Sequence, residues 1–178
     1  MDYRISVKRE PGGVASNFLH DEVHEGGTLD VYPPAGDFVL ADGDKPVVLI
    51  SGGVGITPTL AMLDAALKGT RPVHFIHFAR NRASHAFRGA IEERQARHAQ
   101  LQRFYVYDAH AEEADAPHAT GLLSSAQLAQ CLPASRDVDA YFLGPKPFMR
   151  HVKKQLHELG VPEAQTRYEF FGPAGSLD

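Results

Sequence analysis

The sequence predicts an α/β protein. A doubly wound parallel sheet spans residues 46–178, and a smaller part before it is all β with one short helix. Three observations carry this. Val47-Val48-Leu49-Ile50 is an unbroken apolar run, as in a strand buried on both faces, and three glycines within four positions follow it. From Pro46 onward, short strand-like runs alternate with helical patterns, which implies parallel crossovers. Residues before Lys45 show no such alternation. There, short half-buried runs are separated by Gly and Pro turns.

The first alternating run, residues 2–9, reads as a strand that ends at the turn Pro11-Gly12-Gly13. Ser16 is placed to cap a short helix through Asn17, Phe18, Leu19 and His20. Strands follow at residues 28–32 and 38–40, with a Pro-Pro-Ala-Gly-Asp turn between them, and residues 41–45 form a polar linker. In the second part, strands are expected at 47–50, 73–78, 104–107, 140–143 and 166–170. Helices are expected at 58–67, 86–100, 124–131 and 147–159. The acidic and His-rich stretch 109–120 reads as a solvated loop. The expected domains are therefore 1–42 and 46–178.

The chemistry concentrates after the first strand. Gly52-Gly53-Val54-Gly55-Ile56-Thr57-Pro58 turns a strand into a helix, with Pro58 suited to the first helical position. Backbone N–H groups and the positive helix end then face an anion, and side chains at Gly52, Gly53 or Gly55 would obstruct a diphosphate. The pattern is not a P-loop, since no Lys-Ser/Thr follows, nor the usual G-x-G-x-x-G. Without a ligand, the same turn would only connect two elements. Two further features follow predicted strands, where open α/β sheets bind ligands: Arg80-Asn81-Arg82 and Gly144-Pro145.

A formal net charge of −4 gives no basic excess for nucleic acid, and no apolar run reaches membrane-spanning length. No nucleic-acid or membrane partner is expected. The single cysteine, Cys131, excludes an internal disulfide and fits a reducing cytoplasm, with a core role for the thiol. The ten histidines do not cluster. His74 and His77 point to opposite faces of a strand, and no metal site is expected.

The chain resembles the ferredoxin-reductase superfamily in three motifs. These are the G-G-x-G-I-T-P turn, Leu143-Gly144-Pro145, and Tyr168-Glu169-Phe170-Phe171-Gly172-Pro173. The opening Tyr3-Arg4-Ile5-Ser6-Val7-Lys8-Arg9-Glu10, then Val14-Ala15-Ser16-Asn17-Phe18-Leu19-His20, and His85-Ala86-Phe87 narrow this. Together they are similar to the reductase module of flavohemoglobins, the nitric oxide dioxygenases. The resemblance implies a ferredoxin-reductase NAD-binding domain preceded by a partial antiparallel β-barrel that belongs to an FAD domain. It implies hydride transfer from NAD(P)H to FAD, then electron transfer to heme in a globin domain, supporting nitric oxide detoxification. Gly52, Gly53, Val54, Gly55, Ile56 and Thr57 would line the nicotinamide nucleotide, with Thr57 near the nicotinamide, or else only capping the helix. Gly144 and Pro145 would border the same cleft. Ser16 would contact the FAD diphosphate, or serve as a plain helix cap. Phe171 would cover the flavin ring, flanked by Phe170, Gly172 and Pro173, and Glu169 would tune its potential. Outside the resemblance, Phe171 would read as core and Glu169 as an exposed ion-pairing residue. Arg80, with Arg82, suits the 2′-phosphate of NADPH, or is solvated surface charge.

Two departures stand out. Leu143 occupies the position where many relatives carry a cysteine. The family's flavin-gripping Arg-x-Tyr-Ser/Thr motif does not occur, so the sequence reads as N-terminally truncated, with the globin domain lying outside it. NAD(P)H binding is then expected of this chain, FAD binding depends on residues it lacks, and heme belongs only to the globin domain. The expected partner is that globin domain or another electron acceptor. The alternatives are the reductase component of an oxygenase system and a non-catalytic NAD(P)H-binding remnant.

Overall fold

The computed structural model describes residues 3–108, 117–171 and 177. The chain divides into two compact units, residues 1–37 and 38–178. In the first, the described residues form one helix, α1 (Val14–Asp21), and no strand. Of the runs expected as strands at 2–9 and 28–32, residues 3–9 and 28–32 are irregular, because no neighbouring strand among the described residues completes a ladder with them. Apolar side chains in them, among them Ile5, Val31 and Tyr32, are exposed. Arg9 holds Asp21 through two hydrogen bonds, and His20 Nε2 lies 2.8 Å from the Val7 carbonyl oxygen.

The second unit is a six-stranded sheet of β1 (Val47–Gly52), β2 (Val73–Ala79), β3 (Leu101–Tyr107), β4 (Ala119–Thr120), β5 (Asp139–Leu143) and β6 (Thr166–Tyr168). The order is β4-β3-β2-β1-β5-β6, and every pair is parallel. The helices are α2 (Ile56–Ala66), α3 (Arg88–Arg97), α4 (Ser125–Cys131) and α5 (Lys146–Glu158). The doubly wound sheet is as expected. The strand β4 is not: it lies in the stretch read as a loop, and its two residues carry no apolar run to mark them. They are held by pairing with Val106 and Tyr107. Residues 109–116 of that loop lie outside the described residues.

Alternate residues of β1, β2, β3 and β5 feed opposite cores. Val47, Leu49, Val73 and Phe75 pack with Ile56, Leu63 and Ile91 from α2 and α3. Val48, Ile50, Ala140 and Phe142 pack with Leu128, Met149, Val152 and Leu156 from α4 and α5. All four residues of the opening apolar run are fully buried, each worth about 2 kcal/mol. His74 and His77 do face opposite sides. His74 bonds the Cys131 carbonyl in the α4 layer, while His77 lies under the α2–α3 side.

The segment read as a strand and linker, residues 38–45, belongs to the second unit and is irregular. Phe38 and Leu40 pack on its core, and the Ala41 N–H donates to the Tyr141 hydroxyl at 2.8 Å. Arg71 ties the segment down, donating to the carbonyls of Ala41 and Lys45 and bridging to the buried carboxylate of Asp139.

Candidate functional site

Strands β2, β3 and β4 run out from one side of β1, while β5 and β6 lie on its other side. The chain direction across the sheet therefore reverses between β1 and β5. Ligands of open α/β sheets bind outside the strand carboxyl ends at such a reversal. Here the glycine turn leaves β1 and Gly144-Pro145 leaves β5, with Ser51 opposite Leu143 in register. Two segments that are far apart in sequence thus meet at one crevice.

Their glycines serve different ends. A Cβ on Gly55 would lie 2.1 Å from the Leu143 carbonyl oxygen, so Gly55 is what allows α2 to start against the end of β5. A Cβ on Gly52 or Gly144 would strike the ring of Phe148, at 3.2 and 2.6 Å respectively. Phe148 is wedged beneath the crevice and meets Phe78 edge to face at 5.0 Å. Gly53 alone of the four combines a left-handed backbone (φ 55°) with open space where a Cβ would point. Of the three glycines expected to admit a diphosphate, Gly53 thus faces open space, while Gly55 abuts the end of β5 and Gly52 the Phe148 ring.

The turn Gly53–Gly55 is 3₁₀, and α2 begins at Ile56 with Gly55 as N-cap and no side chain capping it. Pro58 is thus the third helical residue and not the first. It is tolerated because N–H groups throughout the first turn lack helical partners. Thr57 does not cap the helix; its hydroxyl donates to the Val54 carbonyl at 3.2 Å. Gly53 is exposed, Val54 and Thr57 are half-buried, and Ile56 is a core residue at 1% exposure. Ile56 can therefore offer a ligand its backbone but not its side chain.

Other predicted residues reach the same edge. Phe142 pairs with Tyr168, so Glu169, Phe170 and Phe171 leave β6 beside Leu143-Gly144-Pro145. Phe170 is half-buried against Tyr168, with the Lys146 ammonium 5.1 Å from its ring centre. Phe171 is 57% exposed and is not core. Glu169 is exposed, and Gly172 and Pro173 lie outside the described residues. On the other flank, Gly52 pairs with Phe78, which puts exposed Arg80 just past the end of β2 beside the glycine turn. Ser16 belongs to the first unit. The helix there starts at Val14 with Gly13 as N-cap, so Ser16 is its third residue. Its hydroxyl accepts from the Glu10 N–H at 3.1 Å and donates to the Gly13 carbonyl at 3.4 Å.

Beneath the β1–β3 ends lies a buried polar cluster that residue patterns did not single out as a site. Ser51 Oγ is 2.8 Å from His77 Nδ1, and the His77 ring lies 4.5 Å from that of His85. Burial, then the neighbouring His85, lowers the His77 pKa to about 3. Burial, then the Arg88 cation, lowers that of His85 to about 4. Both rings are neutral at neutral pH. Arg88 donates to Glu92 at 2.9 Å, which holds that carboxyl below the usual range, with Arg103 and Arg82 adding to the effect. The sequence signal for this cluster was His85-Ala86-Phe87, seen only as a family motif.

Comparison with known proteins places the chain in a family. Residues 49–154 match the family described as oxidoreductase NAD-binding domain. The chain is 63% identical over 177 residues to a flavohemoprotein of a Burkholderia species and 66% identical over 177 residues to one of Pseudomonas putida. In each case the match takes in 99% of this chain and 45% of the relative, so the chain spans under half of their length. Among solved structures, it is similar to the flavohem-like FAD/NAD-binding domain of nitric oxide dioxygenase from Vibrio cholerae. That likeness has 34% identity and a TM-score of 0.84, covering 94% of this chain and 70% of the other. The chain therefore belongs to the oxidoreductase NAD-binding domain family and, within it, to the flavohemoprotein-type FAD/NAD-binding reductase domains.

Proposed function

We propose that this chain binds NAD(P)H at the β1–β5 crevice and presents it to FAD as part of a flavohemoglobin-type nitric oxide dioxygenase. The observation that carries the reading is the junction of the uncapped α2 start, the open Gly53 turn and the Leu143–Pro145 segment at the sheet's reversal point. Orphan N–H groups there suit a diphosphate, and Gly53 leaves room for it. When bound, FAD supplies the hydride acceptor and the step from paired to single electrons, which pass on to heme in a globin domain.

This chain's residues orient and shield. Val54 and Thr57 line the approach to the nicotinamide. Gly144 and Pro145 form the opposite wall, and buried Leu143 offers no thiol there. Phe171 is free of the core, so it can stack on a flavin face and turn aside for nicotinamide. Glu169 adds a negative charge beside it. Arg80 pairs with a ribose 2′-phosphate, which favours NADPH. Ser16 would have to release two local hydrogen bonds to reach an FAD diphosphate. A reducing cytoplasm suits this chemistry, since Cys131 is a buried free thiol. Among the described residues, no helix is long and apolar enough to cross a membrane.

The test is anaerobic mixing of the purified chain with FAD and NADH or NADPH, following the flavin's visible absorbance. Saturable bleaching, faster than with nucleotide alone, is expected. A chain that binds nucleotide yet never accelerates flavin reduction would leave it a non-catalytic binding module.

A further inference from the structure

The loop joining β2 to α3, residues 80–87, carries Arg80. Its tip is closed by its own side chains: the Asn81 N–H donates to Ser84 Oγ at 3.1 Å, and the Ser84 N–H donates to Asn81 Oδ1 at 2.9 Å. These exposed bonds hold the tip. The loop's near end follows from Ala79 in the β2–β3 ladder, and its far end is anchored by His85, whose side chain turns inward and is 6% exposed. The ring meets Tyr105 edge-on, with centroids 4.4 Å apart at 89°, and lies against His77. Its Nδ1 is 2.9 Å from the Tyr107 hydroxyl, while Nε2 is buried without a hydrogen-bond partner among the described residues. A bare acceptor is less costly there than an orphan N–H, so the favoured tautomer donates from Nδ1 to Tyr107.

The seat is continuous with the glycine turn. Ser51, the residue before Gly52, contacts His77, which contacts His85. Two residues beyond His85, Phe87 is the N-cap residue of α3 and has φ 61°, a left-handed backbone rare outside glycine. Such a conformation persists only where the surroundings hold it. The loop is thus pinned at both ends of its last turn.

We propose that His85 is the positioning residue for the nucleotide's ribose end: its buried ring, locked between β2 and β3, sets where Arg80 presents its guanidinium to a ribose phosphate. This rests on the nucleotide reading above. His85 does not itself touch the ligand. It acts by keeping Arg80 in register with the diphosphate turn, so the phosphate is met without first ordering a loop.

The test is calorimetric titration of the full chain with adenosine 2′,5′-bisphosphate, which carries only the ribose end, with NADPH and with NADH. Arg80→Ala and His85→Leu should each weaken the bisphosphate about tenfold, and the double variant no more than the larger single loss. His85→Asn keeps an amide near the Nδ1 position and should stay within about threefold of the parent chain. Where His85→Leu fails to fold, Tyr107→Phe removes the same hydrogen bond with the ring left in place, and its loss should likewise not add to that of Arg80→Ala. A His85 or Tyr107 variant that binds the bisphosphate as the parent does, losses that multiply, or a silent Arg80→Ala overturns the proposal. A parent chain that binds neither NADH nor NADPH overturns the nucleotide reading instead.

Discussion

Replacing Gly55 with alanine isolates the contact on which the crevice is built. Gly55 has φ −59°, so alanine meets no backbone penalty there. The whole cost is steric. The new Cβ would lie 2.1 Å from the Leu143 carbonyl oxygen and 2.6 Å from its carbonyl carbon, both backbone atoms of a central strand. Relief needs about 1 Å of separation between the start of α2 and the end of β5, in an interior that packs like a crystal. Overpacking of this kind costs 1–3 kcal/mol, and a backbone partner that cannot rotate away puts Gly55→Ala at about 3 kcal/mol. Gly53→Ala is the control. Its left-handed φ costs about 1–2 kcal/mol, with no collision. With a urea slope of about 2 kcal/mol per molar, Gly55→Ala should lower the unfolding midpoint by about 1.5 M, and Gly53→Ala by under 1 M. Nucleotide affinity should show the reverse emphasis for Gly53→Ala, because its methyl group enters the open side of the turn. If Gly55→Ala unfolds no earlier than Gly53→Ala, the packing account of this glycine is wrong.

Acid should destabilise the fold through His77, which faces Ser51 and His85, with Tyr105, Tyr107, Arg88, Arg103 and Glu92 around the pair. Its folded pKa of about 3 lies below the unfolded value near 6.5, so the unfolded state binds more protons. The contribution is full above about pH 6.5 and declines at about 1.4 kcal/mol per pH unit below it; urea unfolding from pH 7 to 4 should show a shallower slope for His77→Gln. Arg71→Met leaves the Asp139 carboxylate buried with Arg167 as its one remaining cation among the described residues, and should cost about 3 kcal/mol in the same assay. Phe171→Ala should leave stability within about 0.5 kcal/mol while changing the rate of flavin reduction by NADPH. Cys131, its pKa pushed up to about 11 by burial, should resist alkylation at neutral pH until the protein is unfolded.

The sheet was legible because burial on both faces writes itself as apolar runs, as in Val47–Ile50 and the β5 segment. The crevice was legible because glycines and strand ends mark a reversal point. Much of the rest was set by contacts that sequence does not display. Gly52, Gly55 and Gly144 look alike on paper, and only the Leu143 carbonyl and the Phe148 ring distinguish their reasons. The two-residue β4 exists through pairing with β3 and has no pattern of its own. Alternation at 2–9 and 28–32 predicted strands, but a strand needs a neighbour, and the described residues supply none. Ser16 is expected as a helix cap and Pro58 as a first helical residue, yet the caps are Gly13 and Gly55 and the helices begin at Val14 and Ile56. His85 carried a motif without a meaning until the loop it anchors was seen.

The central claim concerns where a pyridine nucleotide sits. Amide hydrogen exchange of the full chain, with and without saturating NADPH, reads that position directly. The account predicts slowed exchange at Gly53–Gly55 and the first turn of α2, at Gly144, and around Arg80. No ligand-dependent slowing at the Gly53 turn, or slowing confined to the α5–β6 side near Arg150 and Tyr168, would contradict it.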